Sequence, residues 1–212
     1  MASINCLEDI ALYLYHYFEK AKGPFLSISD LPHHEATKKL IEIQKVNPNL
    51  VNPKIDWFLS ERHRMEDTVR RLFIDKGGKP MRKYPVYMTV GEIKSMSTWY
   101  SDPAFIKIGI SEFDLDTVSF TYGDMFPVFN PDLDDGMEYR NNVYKYNEIL
   151  KIIEKYGYPQ NIEYNLREGI FPVGAPMNHF LKYVEAHIWS EEVISRYRNE
   201  WLMKNAEVFN DN

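Results

Sequence analysis

The sequence predicts one α+β domain spanning 1–212, with N-terminal helices followed by a mixed, mainly antiparallel sheet. Three observations predict it. The first third carries two helical apolar stripes. From Lys83 onward, short β-patterned runs alternate with short helices. No repeat, low-complexity tract or long linker divides the chain, and 44% hydrophobic and 15% aromatic residues supply a core for 212 positions.

The Leu7–Glu19 segment reads as a helix-like entry into a strand. In the strand reading, Leu12, Leu14, His16 and Phe18 share one face and Tyr13, Tyr15 and Tyr17 the other, and Lys22-Gly23-Pro24 ends the run. Ser29-Asp30-Leu31-Pro32 reads as a helix start, with the helix ending before Pro48. After Asn47-Pro48-Asn49 and Asn52-Pro53, the residues Ile55, Phe58, Leu59, Arg62, Met65, Val69, Leu72 and Phe73 trace a second helix, stopped by Gly77-Gly78. Strands are then expected at Tyr84–Val90, Ala104–Ile110 and Thr117–Tyr122, with a short helix around Ile93–Tyr100. Asp134-Asp135-Gly136 reads as a turn, and Asn147 as the cap of a helix ended by Gly157 and Pro159. Asn161–Met177 reads as a loop able to cover a site, and Ser190 as the cap of a last helix bearing Val193, Ile194, Tyr197, Trp201 and Leu202.

A net charge of -6 and a pI near 5.6 oppose a surface built wholly for phosphate backbones. One region, Arg62–Lys83, is locally basic, which suits either a solvated helix face or a phosphate contact. The single cysteine, Cys6, rules out an internal disulfide and a cysteine-rich metal site. No apolar run nears the roughly 18 residues of a membrane span. Met1-Ala2-Ser3 leads into acidic Glu8-Asp9, unlike a secretory signal, so a cytoplasmic protein with no membrane partner is expected.

Common catalytic signatures are missing: no G-x-S-x-G, no G-x-x-x-x-G-K-[ST] and no G-x-G-x-x-G occurs. None of the six histidines forms an H-E-x-x-H pair, and Asp132, Asp134 and Asp135 fit no register of a calcium loop, so no metal is expected. The most informative position is Glu185, inside Leu181–Trp189. Alternation lets Val184, Ala186 and Ile188 face a core while Tyr183, Glu185, His187 and Trp189 line the opposite face. That face is either wet, with Glu185 an ordinary surface residue, or a site where a carboxylate sits among aromatics and a histidine.

Four short motifs carry a resemblance: Tyr15-His16-Tyr17, Tyr84-Pro85-Val86-Tyr87-Met88, Thr121-Tyr122-Gly123-Asp124 and Val184-Glu185-Ala186-His187-Ile188. Their order resembles the histidine-tyrosine-glutamate pattern of ADP-ribosyltransferases, most closely the DarT-type enzymes acting on nucleic acids. The chain departs from that pattern where an arginine should follow the second strand, having Gly91-Glu92-Ile93-Lys94 instead. It also resembles, throughout, a bacterial family of uncharacterised proteins. The first resemblance implies an ADP-ribosyltransferase-like fold, NAD as substrate and a nucleic-acid or protein acceptor. It implies His16 on a ribose, Tyr17, Tyr84, Tyr87 or Tyr122 against the nicotinamide side, and Glu185 as the catalytic carboxylate on a ribose 2′-hydroxyl. The Arg62–Lys83 region would then orient a diphosphate or an acceptor. The rival expectation is a non-catalytic binding protein, an inhibitor or regulator of a host or phage factor, that uses an aromatic surface. A third is a small-molecule binder of the same fold without transfer activity.

Overall fold

The early aromatic run forms strand β1, Tyr13–Glu19, in a computed structural model that describes residues 13–46, 53–133, 135–159 and 183–205. Its alternation decides its packing. Leu14 and Phe18 enter the main core, while Tyr15 and Tyr17 pack on the other side with Ile93, Met96 and Tyr183. Gly23 breaks the chain after β1 with φ 77, a left-handed conformation that favours glycine. Cys6, the entry segment before Tyr13, the Asn47–Asn52 connection, Asp134 and the expected loop at 161–177 lie outside the described residues.

Helix α1, His33–Val46, begins directly after the expected start at Ser29–Pro32. The Pro32 carbonyl accepts from the Glu35 and Ala36 amides, and the Ser29 hydroxyl turns inward to Glu66. Helix α2, Ile55–Asp75, buries Leu59, Met65, Glu66, Val69 and Phe73. Past its end, the amides of Gly77 and Gly78 bond the carbonyls of Ile74 and Phe73, and Gly77 holds φ 79. Ala36 and Leu40 of α1 pack on Leu59 of α2.

The remaining strands are β2, Val86–Val90, β3, Pro103–Gly109, β4, Val118–Thr121, and β5, Glu185–Ile188. A 3-10 turn, Lys94–Trp99, replaces the short helix expected between β2 and β3. A single helical turn, α3, Met125–Val128, follows β4 and is capped by Asp124. Helix α4, Tyr146–Tyr156, starts one residue before the expected cap Asn147; the Glu148 carboxylate accepts from the Lys145 amide instead. Helix α5, Glu192–Lys204, starts two residues past Ser190 and has no side-chain cap.

The strands form one sheet in the order β3-β1-β2-β5-β4. Every pairing is antiparallel, where the sequence left room for a mixed sheet. One face, with Leu14, Val86, Met88, Val118, Phe120, Val184, Ala186 and Ile188, packs on α4 through Ile149, Ile152 and Ile153 and on α5 through Val193 and Ile194. The opposite face meets α2 and α3: Met65, Val69 and Phe73 join Met125, Val128, Trp189 and Tyr87. The architecture is therefore α+β with helices on both faces of the sheet, and β5, between β2 and β4, is covered on both sides. That placement decides the question left open for Glu185: its face is not wet, because α2 lies across it.

Candidate functional site

Strand register brings a polar row to the α2 face. Tyr87 lies opposite His187 and Thr89 opposite Glu185 on one side of β5; Ser119 lies opposite His187 and Thr121 opposite Glu185 on the other. Glu185, His187, Ser119, Thr89 and Thr121 are all buried. Helix α2 adds Arg62 and Glu66, and the loop after β4 adds Asp124.

Glu185 is fixed from two directions. Its Oε1 lies 3.0 Å from His187 Nε2 and accepts from the Met125 amide at 3.3 Å. Nearby, Tyr183 donates its hydroxyl to Asp124 Oδ2 at 2.8 Å. Behind His187, Trp189 Nε1 donates to Ser119 Oγ at 2.8 Å, and that hydroxyl lies 3.2 Å from His187 Nδ1. The Ser119 hydroxyl, with one proton and two lone pairs, can serve His187 Nδ1 in either tautomer while accepting from Trp189. Burial lowers His187 to about 3, so the ring is neutral. Burial first, and then the charge of Asp124, push Glu185 well above the ordinary carboxylate range, against the pull of Arg62.

A second knot adjoins it. Glu66 Oε1 accepts from the hydroxyls of Tyr87 at 2.5 Å and Ser29 at 2.7 Å, and lies 3.2 Å from Arg62 Nε. Arg62 Nε also donates to Ser29 Oγ at 2.8 Å, and the guanidinium sits 4.6 Å above the Tyr87 ring. Arg62 pairs directly with Glu66, and Glu185 and Asp124 lie close enough to favour its charged form. Among the described residues no three His, Cys, Asp or Glu side chains are placed to hold a metal ion.

The residues singled out in the sequence divide in space. Glu185 and Tyr87 meet, and Tyr17 approaches through its packing with Tyr183. His16 does not converge with them. Leu14 pairs with Val90 and Tyr15 with Thr89, so His16, two residues from Leu14, belongs to the sheet face opposite Glu185. Its ring is spent on backbone: Nε2 accepts from the Phe25 amide at 2.9 Å, and Nδ1 donates to the Tyr87 carbonyl at 3.0 Å. Burial lowers it to about 4. Tyr122 likewise faces the other core, its hydroxyl donating to the carbonyls of Tyr156 and Gly157. Tyr84 stacks on His63 at 4.8 Å, outside the sheet.

Sequence reasoning placed Arg62 in the α2 stripe and in the basic Arg62–Lys83 region but did not pair it with Glu66 as a site. The signal was present: Leu59, Arg62, Glu66, Val69 and Phe73 fall on one helical face, so an oppositely charged i,i+4 pair interrupts a buried stripe. The basic Arg62–Lys83 region is largely satisfied internally. Arg64 pairs with Glu61, Arg71 with Asp75, Lys76 with Glu148, Lys79 with Asp116, and Arg82 with Asp30 and Glu191. Arg70 donates to the carbonyls of Pro80 and Arg82, and Lys83 lies over the Tyr84 ring.

This arrangement defines a buried, acid-rich polar centre between a helix and a central strand. No family model, curated protein or solved structure matches the chain. Among the described residues, no helix is long and apolar enough to cross a membrane.

Proposed function

We propose that the protein is an ADP-ribosyltransferase-like protein that takes NAD and transfers ADP-ribose to a nucleic-acid or protein acceptor, with Glu185 as its catalytic carboxylate. The observation that carries this reading is a glutamate buried on the central strand, hydrogen-bonded to His187 and the Met125 amide, in a centre that also holds Glu66 and Asp124: a fixed carboxyl group that an approaching cation would draw into its ionised form. In the transfer, the nicotinamide–ribose bond breaks with its electron pair going to nicotinamide, which leaves neutral, and positive charge develops on the sugar. A fixed carboxylate stabilises that charge, as in other glycosyl transfers. Burial makes Glu185 hold its proton more tightly than an ordinary carboxyl, and the approach of the cationic ring favours the ionised form, because the added positive charge stabilises it. The transferase resemblance called for His16 and Glu185 to converge on one cleft; the register places them on opposite faces, so the reading rests on Glu185 and Tyr87 alone. In this reading His16 ties β1 to β2 and does not touch ribose.

Nicotinamide release from NAD tests it. Wild type is expected to release nicotinamide, and Glu185→Gln to lose at least about a hundredfold in rate, the scale on which one electrostatic group acts in a transition state. NAD binding is also expected to release protons and to tighten as the pH rises. Undetectable release by wild type with millimolar NAD would reject the transferase.

A second reading, a binding protein, has its own observation. Tyr13, Tyr15 and Phe105 form an outward-facing aromatic strip on β1 and β3, with the Tyr15 and Phe105 rings 5.8 Å apart and Lys107 Nζ 3.7 Å from the Tyr13 ring centre. Phe105 is 51% exposed. Loss of partner capture on Phe105→Ser, with NAD chemistry absent from wild type, would favour it.

A further inference from the structure

Glu66 has one oxygen too few in use. Oε1 takes Tyr87, Ser29 and Arg62, whereas Oε2 is buried and has no hydrogen-bond partner. A buried carboxylate oxygen left unpaired is costly, and such an atom in a folded protein calls for an explanation in a missing partner. The other half of the pair supplies the complement. Arg62 directs Nε to Ser29, and among the described residues its terminal nitrogens donate no hydrogen bond. Its side chain is 18% exposed against 0% for Glu66. A partly exposed arginine side chain therefore adjoins a buried acceptor on the same helix face.

The ligand group must accept from a guanidinium and donate to a carboxylate at neighbouring atoms. A phosphate meets Arg62 but is repelled by Glu66; an ammonium meets Glu66 but is repelled by Arg62. A vicinal diol satisfies both without carrying charge. We propose that Arg62 and Glu66 form a subsite for a sugar diol, one hydroxyl donating to Glu66 Oε2 and its neighbour accepting from an Arg62 terminal nitrogen. Assigning that diol to a ribose of NAD rests on the transferase reading; the pairing of α2 with a sugar does not.

Calorimetric titration of ADP-ribose, and separately of nicotinamide, into wild type, Glu66→Gln and Arg62→Lys tests the subsite, with circular dichroism establishing that each variant is folded. ADP-ribose is expected to bind wild type and to bind each variant about tenfold to a hundredfold more weakly, the range for one hydrogen bond to a charged group. If Glu66→Gln does not fold, Arg62→Lys, changed only at a partly exposed head group, decides alone. Unaltered ADP-ribose affinity in the folded variants overturns the subsite and assigns Oε2 to an internal water. So does a wild type that binds no ADP-ribose, or one in which only nicotinamide binding depends on the pair. Nicotinamide release from NAD is scored apart: release with unaltered ADP-ribose affinity leaves the transferase and removes the subsite, and dependence of ADP-ribose binding on the pair without release does the reverse.

Discussion

Arg62→Ala is expected to destabilise the protein by about 3–5 kcal/mol, the usual cost of removing one partner from a buried ion pair. Glu66 is buried, so losing the guanidinium beside its Oε1 leaves a carboxylate without the full hydration of an exposed one. The loss also uncovers the Tyr87 ring and leaves Ser29 Oγ without its donor. The double variant Arg62→Met with Glu66→Leu is expected to recover most of the loss, because it removes the stranded charge and continues the apolar stripe of Leu59, Val69 and Phe73. Urea denaturation of wild type and both variants measures the difference. A single variant within about 0.5 kcal/mol of wild type, the scale of ordinary surface substitutions, would mean that Glu66 finds another partner when Arg62 is gone.

The second large effect is a loss of stability toward acid, carried by two buried histidines whose ordinary value is 6.5, opposed by a loss toward higher pH carried by Glu185. As the pH falls through that value, His16 and His187 gain protons in the unfolded chain, while their buried rings resist to about 4 and about 3. The unfolded state binds more protons across that window, so stability falls with falling pH, by up to about 1.4 kcal/mol per pH unit for each ring. Glu185 acts in the other sense. Its contribution is intact below the ordinary carboxylate range, where both states hold the proton. Above that range the unfolded chain ionises and the buried carboxyl does not, so stability falls as the pH rises toward its raised value. Two histidines outweigh one glutamate on the acid side, and the glutamate acts alone above it. Glu185→Gln, which keeps the shape of the protonated acid, is therefore expected to match wild type at pH 4 and to melt at a higher temperature at pH 8. Parallel melting curves for the two proteins from pH 4 to pH 8 would show that Glu185 ionises normally in the folded state. Higher stability joined to lost nicotinamide release would mark a carboxylate kept at a cost to the fold.

Much of the element plan was legible locally. The stripe from Ile55 to Phe73, stopped at Gly77, is helix α2, and the alternation around Glu185 is strand β5. Helix α4 runs to Gly157 as its composition required. These features depend on near neighbours: side-chain periodicity, and glycines free to take positive φ. The start of α4 was less legible, because the helix begins ahead of Asn147 and its entry is held by Glu148 accepting from the Lys145 amide.

The site was legible only in fragments. Sequence determined that Glu185 and His187 share a face of their strand, that His16 shares one with Leu14 and Phe18, and that Arg62 and Glu66 share one of their helix. Tertiary structure decided which faces meet. Pairing of Leu14 with Val90, Tyr15 with Thr89, and Thr89 with Glu185 puts His16 on one side of the sheet and Glu185 on the other. A shift of one residue in a pairing would have reversed that result, since strand side chains alternate with period two. Nothing local to β1 or β5 fixes that register. It follows from burying α2 on one face of the sheet and α4 with α5 on the other, and the same burial joins Arg62 and Glu66 to Glu185, more than a hundred residues away.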